Sequence, residues 1–126
     1  MNRKWLEDWP WESVLAINAA LCKQKKALHQ PTSEGYQPTQ KLWEDSRSRK
    51  LPLRTALQVC RQCHKLSPFC FYNGNTFAAI GRTIIQDVLR DLSPIKAHAI
   101  RSVVGHYIAG TTGEKELDQS LKELAE

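Results

Sequence analysis

No stretch of about eighteen consecutive apolar residues occurs in the 126-residue chain, so no membrane-spanning helix is expected. The amino terminus, Met1-Asn2-Arg3-Lys4-Trp5-Leu6-Glu7-Asp8-Trp9, turns acidic where a secretory leader needs its apolar core, and the chain is therefore expected to be cytoplasmic. Walker and dinucleotide glycine patterns are absent. So are a repeat at a solenoid period and a strand pair flanking a hairpin turn. Paired carboxylates and a nucleophile triad are equally lacking, which leans the chain away from enzymes. Glycine and proline occur six times each, too few for a collagen or a low-complexity tract. Hydrophobic residues at 41% and charged residues at 25% are globular proportions, and the length fits one domain spanning residues 1–126.

Charge is present and unevenly placed. Eighteen Lys and Arg stand against thirteen Asp and Glu, a net of +5. Residues 1–65 carry 12 basic and 6 acidic side chains, whereas residues 66–126 carry 6 and 7, so the whole excess lies in the first half. All four tryptophans, Trp5, Trp9, Trp11 and Trp43, lie in that half as well. Cations attract phosphates, and aromatic rings stack on bases. The same residue types also anchor protein interfaces. A nucleic acid or another protein subunit is thus the expected partner of an accessory or assembly protein. Arg47, Arg49, Lys50 and Arg54, with Trp43, are its candidate contacts.

Helical periodicity dominates. Pro10-Trp11 opens a first helix, with Asp8 as the expected cap, through Val14, Leu15, Ala19, Leu21, Cys22 and Leu28. Residues 30–50, with two prolines, a glycine and the run Ser46-Arg47-Ser48-Arg49-Lys50, are expected to be a linker and basic segment, partly flexible. Pro52 begins a helix that Ser67-Pro68 stops, and Asn73-Gly74 marks a turn. Asn75 or Thr76 then caps a helix whose stripe is Phe77, Ile80, Ile84, Ile85, Val88 and Leu89. Ser93-Pro94 opens a helix with two apolar rows, Ile95, Ala99, Val103, Tyr107 and Ile100, Val104, Ile108, and Gly110 ends it. Thr111 and Glu114 have capping-box spacing before a last short helix. Helix-interior Gly81 and Gly105 imply close approach of neighbouring helices. Together these predict an all-α, compact bundle of about five helices with one long linker.

Four cysteines without an export signal read as thiols. Cys60-Arg61-Gln62-Cys63-His64 has the spacing of a haem c attachment site. Against it stand the missing leader and the lack of any methionine beyond Met1. Zinc is the stronger metal candidate, with Cys60, Cys63, His64 and Cys70 as a four-ligand set and a zinc-stabilised helical module as the alternative function. Zinc folds, however, usually draw a second pair from a distant knuckle, and here a single CxxC falls within a helix. Positions three and four apart share a helix face, where cysteine serves equally as a small core side chain. Buried thiols and no cofactor are therefore the expectation. His98 and His106, eight residues apart on one helix, lie about 12 Å apart by rise and cannot share an ion.

Overall fold

The computed structural model describes residues 2–124. Strand β1 (Asn2–Arg3) precedes helices α1 (Trp11–Gln24) and α2 (Tyr36–Arg47). Strand β2 (Leu51–Pro52) leads into α3 (Leu53–Leu66) and α4 (Asn73–Gln86). After a single 3-10 turn at Asp87–Leu89 come α5 (Pro94–Ala109) and α6 (Glu114–Leu121). The fold is an all-α bundle with one two-residue ladder, in which Arg3 pairs antiparallel with Leu51 and Asn2 with Pro52. Among the described residues no helix is long and apolar enough to cross a membrane.

Helices α3, α4 and α5 form the centre, and α1, α2 and α6 pack around them. The α4 stripe behaves as its spacing predicts: Phe77, Ile80, Ile84, Ile85 and Leu89 are buried, with Val88 packed at the edge. On α5 one row is buried throughout (Ile100, Val104, Ile108), as is Tyr107. Ile95, at the start of the other row, is 84% exposed, whereas Ala97 of the same turn packs against the core. Ser93 caps α5 through Lys96 N–H at 3.3 Å, and Gly110 ends it at φ +90°.

Five expectations need correction. Residues 36–47 of the supposed linker are helix α2, whose Pro38 sits in the first turn, where its missing N–H is not needed. This helix buries Thr39, Trp43 and Ser46 on one face, and Thr39 Oγ1 donates to Gly35 O at 2.6 Å. Helix α1 ends at Gln24 rather than running through Leu28; Lys26 turns left-handed, Ala27 N–H bonds Cys22 O, and Leu28 is left 61% exposed. Its N-cap is Pro10, not Asp8. Helix α4 starts at Asn73, directly after left-handed Tyr72, so Asn73-Gly74 is its first turn. Asn73 closes the preceding loop by accepting from Phe69 N–H at 2.9 Å and donating to Phe69 O at 2.7 Å. The α6 cap is displaced from Thr111 to Gly113, whose N–H donates to Glu116 Oε1 at 2.9 Å.

Both interior glycines sit at close approaches, of unequal consequence. A Cβ on Gly81 would stand 2.2 Å from Ile108 Cδ1, with Leu57 and Val104 each 3.5 Å away, inside the packed core. A Cβ on Gly105 would meet only the mobile end of Arg82, at 2.7 Å from Nη1. Gly81→Ala is expected to lower stability by about 1–3 kcal/mol through overpacking. Gly105→Ala gains up to about 1 kcal/mol of helix propensity and displaces a surface side chain. Urea unfolding of the two variants should therefore move in opposite directions, or at least differ by more than about 1 kcal/mol.

Candidate nucleic-acid interface

The β1–β2 ladder gathers the front of the molecule. It ties Arg3 beside Leu51, the residue after the exposed pair Arg49 and Lys50. Arg3 lays its guanidinium over the Trp5 ring, 4.7 Å from the centroid. Trp5 is half-buried, and its ring Nε1 has no hydrogen-bond partner among the described residues. Arg47 is close by in sequence but already occupied: it forms an ion pair with Glu44 at 2.9 Å and donates to Glu7 O at 2.8 Å. Lys4 stands 3.8 Å from Glu7, a loose surface pair of small energetic weight.

Two candidate contacts lie elsewhere than on an open basic surface. Trp43 is fully buried, tilted against Phe77 at 5.8 Å between centroids, with its Nε1 donating to Trp9 O at 2.7 Å. Trp11 is likewise core, its ring stacked on Phe69 and its Nε1 bonded to Tyr36 Oη at 3.0 Å. Arg54 is held between Glu114, at 2.7 Å, and Asp118 on α6, so its charge is spent within the fold. Arg49 and Lys50 remain exposed, without a carboxylate partner among the described residues.

What local reading missed is the N-terminal contribution of Arg3 and Trp5, two and four residues into the chain and joined to residue 51 only through the ladder. Their exposed basic neighbours belong to a wider asymmetry. Residues 46–86 contain seven Lys and Arg and no Asp or Glu, a signal legible in the sequence by counting windows rather than halves.

The four zinc candidates are not assembled into a cluster. Cys60 and Cys63 are fully buried side chains of the α3 face that packs into the core. Burial pushes the Cys60 thiol up to about 12, and burial followed by the nearby Cys60 raises Cys63 as well. His64 donates from Nδ1 to Ile108 O at 2.9 Å, and Cys70 is exposed beyond the end of the helix. Among the described residues no three His, Cys, Asp or Glu side chains stand close enough to share an ion.

A second polar cluster fixes α6 to the bundle. Tyr107 Oη donates to Glu114 Oε2 at 2.7 Å, Arg61 covers the Tyr107 ring at 4.6 Å, and Arg61 also donates to Thr112 O. The Tyr107 bond, then Gln58 and the flanking arginines, hold the Glu114 carboxyl below its ordinary range. A carboxyl lowered by folding stabilises above its unfolded pKa and loses that contribution as pH falls through the folded one. Glu114 is half-exposed, so the effect is modest. Stability should decline below about pH 4.5, and Glu114→Gln should flatten that decline in chemical-denaturation profiles.

Comparison with protein-family models, curated proteins and solved structures finds no match.

Proposed function

We propose that the protein is an accessory binding subunit that holds nucleic acid by its phosphate backbone, on the surface built from Arg3, Trp5, Arg49 and Lys50. The observation that supports this most is the β1–β2 pairing, which adds the Arg3–Trp5 stack to a basic turn otherwise contributed by residues 49–50 alone. Three cations without a carboxylate partner among the described residues, beside an aromatic ring, match what single strands require: charge for the phosphates and a planar surface for the bases. No base-reading element is implied, so affinity should depend weakly on sequence and strongly on salt.

The test is a fluorescence titration with oligonucleotides across a salt series. Three phosphate contacts on a single strand give a log–log slope of roughly −2. The Arg3→Gln/Lys50→Gln double variant should weaken binding to every sequence alike and reduce that slope by more than half. A titration flat at low salt would overturn the proposal, and a binder that then co-purifies through the same four residues would identify a protein partner instead.

A further inference from the structure

We infer that the outer groove between α4 and α5 is a binding site for a phosphate monoester. The groove is a cleft of about 210 Å³ lined by Asn75, Ala78 and Arg82 from α4 and by Ser102, Gly105 and His106 from α5, with Gly74 and Ala109 at its end. Asn75, Ala78 and Arg82 recur at spacings of three and four on one face of α4. Ser102, Gly105, His106 and Ala109 do the same on α5. Small residues at Ala78 and Gly105 form the floor, and the polar groups come from both walls.

The chemistry of those walls is one-sided. Arg82 supplies a planar fork suited to two phosphate oxygens. Asn75 brings an amide and Ser102 a hydroxyl, both able to donate. No carboxylate lines the cleft, and among the described residues none lies within ion-pairing distance of Arg82. The guanidinium is placed by Gly105: only a residue without Cβ lets Arg82 lie against α5, since a methyl there would come within 2.7 Å of Nη1. His106 is oriented too. Thr111 Oγ1 donates to His106 O at 3.1 Å, so it accepts from His106 Nδ1–H at 3.0 Å, and Nε2 is left to accept from the P–OH of a monoanionic phosphate or, as imidazolium, to donate to a dianion. The cleft is smaller than the roughly 300–1,000 Å³ of drug-sized pockets, which suits a small, compact anion. The donors project from two packed helices rather than from loops, so binding orders side chains and not backbone.

The site is separate from the front surface, and the two can fail independently. The experiment is a ¹H–¹⁵N correlation titration of the full chain with inorganic phosphate against chloride at matched ionic strength. Saturable shifts at Asn75, Arg82, Ser102 and His106 are expected. Arg82→Gln, an exposed position whose loss spares the core, should weaken phosphate about tenfold or more while leaving the thermal midpoint unchanged. Lys96→Gln, on the exposed first turn of the same helix, should bind as the parent does. A second arm compares one oligonucleotide with a 5′-phosphate and with a 5′-hydroxyl. A preference for the phosphorylated end that Arg82→Gln removes assigns the ligand to a strand terminus; equal binding of the two, with phosphate still saturable, assigns it to a free small phosphate. Non-saturable shifts, or saturable ones unaltered by Arg82→Gln, overturn the inference. Retention of phosphate binding by the Arg3→Gln/Lys50→Gln variant separates it from the proposal for the front surface.

Discussion

Replacing Trp43 with alanine is expected to lower the free energy of unfolding by about 3–5 kcal/mol, a large part of what a domain of this size possesses. The indole is fully buried and joins three segments: its own helix α2, α4 through Phe77, and the N-terminal turn through Trp9 O. Truncation opens a cavity that the surrounding helices can fill only partly, and it leaves the Trp9 carbonyl without its donor. Trp43→Phe separates the two contributions, because it keeps most of the packing and loses only the N–H. Its cost should be about 1–2 kcal/mol. Urea midpoints measured by circular dichroism decide the matter, and a Trp43→Ala variant within 1 kcal/mol of the parent would mean that α2 is not part of the cooperative core.

That α2 exists at all was not legible from its composition, and the reason is physical. Its buried face is Thr39, Trp43 and Ser46, so two of its three inward residues are hydroxylated and produce no apolar period. Thr39 is admitted to the interior because it donates to Gly35 O within the first turn. Gly35 itself abuts the end of α3, where a Cβ would fall 2.0 Å from Leu66 O. Such a contact between residues thirty-one apart leaves no local trace. The α4 and α5 helices, by contrast, were readable because their buried stripes are aliphatic and because Ser93, Pro94 and Gly110 act within a turn of where they stand. The same distinction divides the candidate site. Arg49 and Lys50 are exposed, as a short basic run suggests. Arg54 is not free, because its carboxylates arrive from α6, sixty and sixty-four residues later. Trp5 joins the surface through a ladder of two residue pairs, too short for any strand signal.

Asn18 is the strongest case of a position that periodicity cannot interpret, and its substitution carries the second large expected effect. It is a polar residue with no solvent exposure on the inward face of α1, between Val14 and Cys22. Its Nδ2 donates to Phe71 O at 2.8 Å and to Thr76 Oγ1 at 3.0 Å. Its Oδ1 accepts from His29 Nδ1 at 2.8 Å and from the Cys22 thiol at 3.5 Å. An amide oxygen cannot donate, so His29 must hold its proton on Nδ1. One side chain thereby binds α1, the turn after it, the 69–72 loop and the start of α4. Asn18→Leu preserves the volume but removes every one of these bonds, each worth about 0.5–1.5 kcal/mol net, while the Phe71 carbonyl and the His29 ring N–H, on exposed residues, can turn to water. A total loss of about 2–4 kcal/mol is expected. The damage should also be local: amide exchange should accelerate first at Ala27, Thr32 and Cys70, whose N–H groups bond Cys22 O, Pro68 O and Gln30 O across the loops that Asn18 pins. Asn18→Asp retains the acceptor for His29 but turns a carboxyl oxygen toward Phe71 O, so it should loosen the 69–72 loop while keeping residues 27–30 in place. Uniform acceleration across all helices in either variant would show that Asn18 contributes only bulk, and an unchanged exchange pattern with unchanged stability would show that these loops are held by other means.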